Sequence, residues 1–206
     1  MQKPTEIFGK WAEEGKDVGM EKGHATSVKD MLDFALQERT NIGKNFSFLD
    51  LGCGNGWVAR NVSKNSLCAK AVGIDGAEQM IINAKKIGGQ GNYILADINS
   101  YTSPVKFDLI HSMEVLYYLD DPASKIKSLC DHWLEDDGRL IIGIDHYYEN
   151  LESHSWEEKV GTRMLMLKEA EWLDIFNESG LGDIKSWRSN QSQDWSGTLV
   201  LTGKKR

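Results

Sequence analysis

The sequence has few cysteines, few prolines and no long apolar run. Its three cysteines form no CxxC pair, and its five histidines show no zinc-ligand spacing. We therefore expect a reducing, cytoplasmic setting, no disulfide framework and no metal site. Three prolines and 40% hydrophobic residues in 206 indicate a folded chain with a sizeable core. No apolar run approaches the ~20 residues of a membrane span, so we expect no membrane segment.

Basic residues are also scarce. Lys and Arg total 24 against 31 Asp and Glu, which gives a net charge of −7. A protein that binds duplex nucleic acid usually presents a basic face, so the balance disfavours a nucleic-acid partner. We expect a small-molecule partner, and a monomer or a homodimer.

Short apolar runs alternate with helical patterns along most of the chain. The last two runs are joined only by a polar stretch too short for a parallel crossover, so they should pair antiparallel. This order predicts an α/β fold: a three-layer, Rossmann-like, doubly wound sheet of about seven strands, mostly parallel with an antiparallel final strand. The predicted strands are 46–51, 69–75, 92–96, 107–111, 140–144, 184–188 and 198–202.

Local signals place several helix ends and turns. Asp121 followed by Pro122 predicts the start of a helix, because Asp caps helices and Pro suits their first turn. Ser27 resembles the first residue of a capping box and predicts the start of the helix that precedes the first strand. Asp137-Gly138 predicts a turn into the fifth strand.

The most informative segment is the loop after the first strand. Asp50 ends that strand, and Gly52, Gly54 and Gly56 follow at alternate positions before a helix. Glycines at such a turn let the backbone approach a ligand closely and adopt positive φ. A dinucleotide fingerprint would need glycine where Trp57 stands, and no Gly-Lys pair is followed by Ser or Thr as in a P-loop. The pattern D-x-G-x-G-x-G resembles the first motif of class I S-adenosylmethionine-dependent methyltransferases.

Later segments agree with this resemblance over residues 46–145. It implies that Asp75, at the end of the second strand, binds the ribose hydroxyls of S-adenosylmethionine, as a carboxylate with two acceptor oxygens can. It also implies that Met80 packs against the adenine and that Asp97 accepts from its amino group. The residues implied to bind this cofactor are Asp50, Gly52, Cys53, Gly54, Gly56, Asp75, Gly76, Met80, Asp97, Ile98 and His111.

The acceptor site is less clearly marked. Methyl transfer from a sulfonium needs proximity and in-line orientation, and a base only when the acceptor holds its proton. The candidates for positioning the acceptor or acting as a base are His24, His111, Glu114, Tyr117, His146 and Tyr147. The segment 146–167, which is rich in His, Tyr and Trp, predicts a substrate lid. We expect Tyr147 and Trp156 to hold a cationic acceptor; the alternative is that the aromatic residues form a small core of their own.

We thus expect a single methyltransferase domain: an N-terminal helical cap (1–40), a donor-binding core (46–145), the lid (146–167), and a final helix with the antiparallel strand pair (168–206). The expected reaction transfers a methyl group from S-adenosylmethionine to an N, S or O nucleophile of a small molecule. The main alternative is a non-catalytic domain that senses the donor or its product, or that activates a partner. A methyltransferase acting on tRNA or protein, and a nicotinamide-dependent oxidoreductase, fit the sequence less well.

Overall fold

The computed structural model describes all 206 residues, and its centre is one seven-stranded sheet. The strands are β1 (Phe46–Leu51), β2 (Cys68–Asp75), β3 (Asn92–Leu95), β4 (Phe107–Met113), β5 (Leu134–Ile144), β6 (Leu181–Ser189) and β7 (Thr198–Lys205). Their order in the sheet is β3-β2-β1-β4-β5-β7-β6. The first five strands pair in parallel, and β7 is antiparallel to both of its neighbours. The predicted sheet and its antiparallel final strand are confirmed.

Helices cover both faces of this sheet. They are α1 (Pro4–Glu13), α2 (Asp17–Ile42), α3 (Trp57–Val62), α4 (Glu78–Ile87), α5 (Pro122–Ser128), α6 (Trp156–Val160) and α7 (Glu169–Glu178). One core layer contains Val28, Val58 and Ile81, which belong to α2, α3 and α4. The opposite layer contains Ile126 of α5 and Trp172 of α7. The fold therefore has the predicted three layers.

The helix predicted after Asp121 begins as expected. The Asp121 side chain accepts a hydrogen bond from the Ser124 N–H at 2.9 Å, and Pro122 is the first residue of α5. The chain then widens into a π-type turn, Leu129–Trp133, that leads directly into β5. The two signals for the start of α5, the capping side chain of Asp121 and the proline in the first turn, could both be recognised in the sequence.

The predicted start of the helix before β1 is wrong. Ser27 lies inside α2, which begins ten residues earlier at Asp17. The buried Ser27 hydroxyl bonds to the Thr198 hydroxyl of β7 at 2.7 Å, so it serves a long-range contact and not a helix end. Serine side chains can satisfy either role, and the local pattern does not distinguish them.

The predicted turn before the fifth strand is also wrong. Asp137 and Gly138 lie within β5, which starts at Leu134. The strand β5 is irregular at this point. Asp137 has φ 63°, and the pairing register with β4 shifts between Phe107 and Leu109. The turn-forming residues thus produce a bulge in a longer strand.

The N-terminal segment meets the segment after β5 over the carboxyl edge of the sheet. The Gln2 N–H donates to the Gly161 carbonyl at 3.3 Å, and the Thr162 hydroxyl donates to the Gln2 carbonyl at 2.9 Å. No helix combines the length and the apolar composition that crossing a bilayer requires.

Candidate active site

A cavity of about 570 Å³ opens at the carboxyl ends of the central strands. Its walls come from the loops after β1, β2 and β4, from α1 and the residues before it, and from the first turns of α2. This is the edge at which open α/β sheets bind ligands. Most of the residues predicted to bind a cofactor line this one space.

Two glycines of the loop after β1 are fixed by packing. Gly52 and Gly56 have φ 76° and 78°. A Cβ atom at Gly52 would lie 2.1 Å from Val115 Cγ2, and one at Gly56 would lie 2.3 Å from the Tyr93 ring. Larger residues would therefore displace the loop on both conformational and steric grounds.

Gly54 differs because it faces the cavity. Its φ is 52°, and the nearest atom to a Cβ there would be Met80 Sδ at 3.8 Å. Its N–H donates to Asp75 Oδ2 at 2.8 Å, and the Ala77 N–H donates to Asp75 Oδ1 at 2.8 Å. Burial raises the pKa of Asp75, although these two backbone N–H groups act in the opposite direction. The loop thus holds the Asp75 carboxylate at the cavity wall, with a lone pair on each oxygen still available for hydroxyl groups.

Asp50 and His111 form a buried pair on the floor of the cavity. They lie opposite each other in the β1–β4 register, and Asp50 Oδ1 is 2.8 Å from His111 Nδ1. Asp50 Oδ2 and His111 Nε2 are buried and have no hydrogen-bond partner. Buried polar atoms are nearly always paired, so two unpaired ones on a cavity wall indicate a place for a polar ligand.

The remaining predicted cofactor residues lie along the same wall. Gly76 approaches α1 so closely that a Cβ there would be 2.7 Å from Thr5 Cγ2. Asp97 and Ile98 line the cavity after β3, and Asp97 Oδ1 accepts from the Asn99 N–H at 2.9 Å. Burial raises the pKa of Cys53 well above its usual range, so its side chain is a protonated thiol in the wall.

Glu114 lies at the other end of the cavity, directly after β4. It is a non-glycine residue with φ 60°, a strained conformation that clusters at functional sites. Its carboxylate accepts from the Tyr117 hydroxyl at 2.6 Å and from the Asp145 N–H. Burial, and then the charge of Asp145, raise the pKa of Glu114 well above its usual range. Burial and the adjoining Glu114 likewise raise the pKa of Tyr117.

His24 and Asp145 complete what we call the acceptor cluster: His24, Glu114 and Asp145. One ligand atom from each lies within 4.8 Å of the others. Burial lowers the pKa of His24 and raises that of Asp145 to about 6. Sequence reasoning missed Asp145, although it follows β5 just as Asp75 ends β2, and the meeting of parallel strand ends could have identified it.

Three predicted acceptor residues, Tyr117, His146 and Tyr147, lie outside the cavity lining. His146 Nδ1 lies 3.1 Å from the Ser153 carbonyl, and the buried Tyr147 hydroxyl donates to the Gly197 carbonyl at 2.9 Å. The Arg188 guanidinium lies over the Tyr147 ring at 5.1 Å. Their contact with an acceptor stays a prediction that this placement does not support.

Most of the other residues in the segment 146–167 also lie outside the cavity lining. Trp156 stacks between His146 and Trp195 at centroid distances of 6.3 and 6.1 Å. Only Thr162 and Arg163 of this segment line the cavity. Tyr147 and Trp156 pack against the main hydrophobic core and Tyr148 is exposed, so the aromatic side chains form no separate core, and the substrate lid stays a prediction.

Comparison with known proteins decides the family. The model of a family described as a methyltransferase domain matches residues 20–185, most of the chain. The chain belongs to the methyltransferase-domain family. S-adenosylmethionine is the cofactor of this family, which confirms the predicted cofactor.

Curated relatives of this methyltransferase-domain chain carry different acceptor names. It is 25% identical over 167 residues to (S)-coclaurine N-methyltransferase of Papaver somniferum, covering 69% of the chain and 45% of the relative. It is 30% identical over 117 residues to the ubiquinone biosynthesis O-methyltransferase of Serratia proteamaculans, covering 54% of the chain and 47% of the relative. The chain thus spans less than half of these relatives' own length.

Solved structures of similar fold match most of the chain. One is a chain from a complex between the Haloferax volcanii Trm112 methyltransferase activator and a proposed methyltransferase, with TM-score 0.81, 23% identity and coverage of 99% and 98%. Another is the magnesium protoporphyrin IX methyltransferase of Synechocystis with bound S-adenosylhomocysteine, with TM-score 0.69, 19% identity and coverage of 89% and 84%. At these identities the likeness establishes the fold.

The cavity of this methyltransferase-domain chain suits the family's cofactor. The open face of Gly54 lets a ligand approach the backbone, and the Asp75 carboxylate can accept from hydroxyl groups. The unpaired Asp50 oxygen is an anionic acceptor for a cationic or N–H group. The residues that are present therefore fit an amino acid joined to a nucleoside.

Proposed function

We propose that this chain is a methyltransferase that uses S-adenosylmethionine to methylate a small molecule. The observation that carries the proposal is a single cavity with two chemically distinct ends. One end has the glycine loop and Asp75, and the other has His24 and Glu114 of the acceptor cluster, with Asp145 within 4.8 Å of them. A domain that only senses the cofactor has no need of the second end.

In this proposal the cofactor lies along the wall formed by Gly54, Asp75, Met80 and Asp97, and it supplies an electrophilic methyl group. The chain's own residues orient the two reactants and exclude water. Asp75 would bind hydroxyl groups, and the Asp50–His111 pair would bind polar atoms near the cavity floor. Such positioning can supply most of the rate enhancement of an in-line displacement.

Calorimetric titration with S-adenosylmethionine and S-adenosylhomocysteine tests the donor site. We expect micromolar binding to the wild type and a loss of about 10–100-fold in Asp75→Asn, because a hydrogen bond to a charged group contributes about 1.5–3 kcal/mol. Asp194→Asn, in the exposed turn between β6 and β7, is the matched control and should bind like the wild type. A folded wild type that binds neither compound would refute the proposal.

One solved neighbour favours an additional candidate role. Because that chain comes from a complex with a methyltransferase activator, we also propose that a small activator protein stabilises this chain. Copurification from the native host, followed by mass spectrometry of a stoichiometric partner, tests this role. A chain that is stable and fully active alone would contradict it.

A further inference from the structure

The charge of the cavity lining is strongly one-sided. Seven carboxylate side chains line it, against two cationic ones, Lys3 and Arg163. Both cationic side chains are exposed, and Arg163 forms an ion pair with Asp120. The inner part of the cavity therefore offers carboxyl groups to an acceptor and no Lys or Arg side chain, and its only other titratable bases are His24 and His111.

The two carboxyl groups of the acceptor cluster have no Lys or Arg beside them. Glu114 and Asp145 lie close enough for the charge of Asp145 to raise the pKa of Glu114, and no Lys or Arg acts on either carboxyl. Asp145 is only 6% exposed, and its Oδ1 atom has no hydrogen-bond partner. A buried carboxylate without a partner is costly, and a bound cation would remove that cost.

Aromatic rings stand beside this cluster. Tyr118 and Phe8 both line the cavity, with ring centroids 5.3 Å apart in an edge-to-face arrangement. Aromatic faces attract cations as well as apolar groups. Together with Glu114, whose carboxylate accepts from the Asp145 N–H, they line a part of the cavity suited to an organic ammonium group.

We propose that the methyl acceptor is an organic amine, bound as its ammonium by Glu114 beside the buried Asp145 and deprotonated there by Glu114. This inference rests on the proposed function, since it identifies the substrate class of the same cavity. Other acceptor classes fit less well. A carboxylate or thiolate acceptor would place another negative charge beside the carboxylates of Glu114 and Asp145. A neutral phenol would leave the charges of these two carboxylates without a counter-charge.

The step is balanced in atoms and charge. The ammonium N–H transfers its proton to a Glu114 carboxylate oxygen, which leaves a neutral amine with a free lone pair. That lone pair forms the new N–C bond with the methyl group of S-adenosylmethionine as the C–S bond breaks, and the electron pair of the broken bond stays on sulfur. Because burial and Asp145 raise the pKa of Glu114, its carboxylate is a stronger base than one on the surface.

Binding of a matched pair of probes tests the inference without turnover. Choline carries a trimethylammonium group, and 3,3-dimethylbutan-1-ol is its neutral carbon isostere. We expect the S-adenosylhomocysteine-saturated protein to bind choline at least tenfold more tightly than the isostere. Glu114→Gln should reduce this preference below about threefold, whereas Glu158→Gln, on the exposed face of α6, should preserve it.

Two results would overturn the inference. The first is equal affinity for the two probes in the wild type. The second is binding of Mn²⁺ or Zn²⁺ that displaces choline and is lost in His24→Ala, because the cluster would then be a metal site. The same titrations report S-adenosylhomocysteine affinity, so a lost cation preference with intact cofactor binding refutes this inference and leaves the proposed function standing.

Discussion

Buried polar atoms without hydrogen-bond partners lie near the carboxyl ends of the parallel strands. Asp50 Oδ2, His111 Nε2 and Asp145 Oδ1 are all buried without a partner, and all three belong to residues at the carboxyl ends of neighbouring parallel strands. Three other buried atoms, Arg39 Nε, Asn150 Oδ1 and Trp172 Nε1, also lack a partner, whereas the buried Ser27 hydroxyl bonds to Thr198. The unpaired atoms lower stability where a ligand is needed, as expected of functional sites.

At the residue scale, Asp145→Asn should stabilise the fold at high pH. Burial raises the pKa of Asp145 to about 6, and the titratable groups facing it are Glu114 and His24. In the unfolded chain this carboxyl ionises near its ordinary pKa of about 3.9. The native state therefore binds this proton more tightly than the unfolded chain does. The proton binding stabilises the fold below about pH 4, and this stabilisation is lost as the pH rises to about 6.

Urea unfolding of both proteins measures this effect. The neutral asparagine has no proton to lose, so at pH 8 the variant should be more stable by up to roughly 3 kcal/mol, and the difference should shrink toward pH 4.5. Asp194→Asn serves as the exposed control. A variant that is equally or less stable at pH 8 would contradict the assigned burial cost.

The sequence predicted the donor end of the cavity better than the acceptor end. Gly54 lies in the turn after β1, and Asp75 ends the adjacent strand β2, so local sequence spacing determines where both residues lie. His146 and Tyr147 follow β5, but their partners Ser153 and Gly197 lie in other segments whose arrangement depends on tertiary packing. Asp145 donates its N–H to Glu114, which lines the cavity, whereas the side chains of the next two residues contact those other segments.

At the element scale, α1 acts as a wall of the cavity and stands outside the sheet. Ala12 is buried in a small cluster with Ala77 and Met80, and Thr5 lies against Gly76. We expect Ala12→Asp to detach α1, since it would bury an unpaired charge. The predicted result is about a tenfold loss of S-adenosylhomocysteine affinity with the seven-stranded sheet intact.

Calorimetry and circular dichroism together check this prediction. Ala123→Asp, which adds the same charge at an exposed position of α5, should bind like the wild type. Unchanged affinity in Ala12→Asp would mean that α1 does not contribute to the donor site. Global unfolding of that variant would mean that α1 is part of the stability core.

At the scale of the whole molecule, Arg139 joins elements that are distant in sequence. It is 1% exposed and donates from Nε to Glu38 Oε2 at 2.7 Å, from Nη2 to Asp183 Oδ2 at 2.8 Å and from Nη1 to Thr202 Oγ1 at 3.0 Å. These partners belong to α2, β6 and β7. The Arg139 guanidinium thus connects α2 with the antiparallel strands β6 and β7.

Arg139→Met should lower the free energy of unfolding by roughly 1–3 kcal/mol, because it removes the three hydrogen bonds of a buried guanidinium, whereas Glu38 and Asp183 keep ion pairs with Lys204 and Lys185. Arg139 does not line the cavity, so cofactor affinity should stay within about twofold. Lys127→Met breaks the exposed pair with Asp131 and should cost less than about 1 kcal/mol. Equal losses in the two variants would show that the network adds no more than a surface pair.

The hydroxyl pair between Ser27 and Thr198 joins positions 171 residues apart, and this separation affects how the chain is made. On a ribosome α2 emerges well before β7. At about 5–20 residues per second, the contact becomes available only about 10–35 seconds after Ser27 is synthesised. The apolar side of α2, which contains Val28 and Met31, lacks this final support throughout that interval. Nascent chains should therefore depend on chaperones that shield early apolar helices, and rare codons shortly before Thr198 would lengthen the period of exposure.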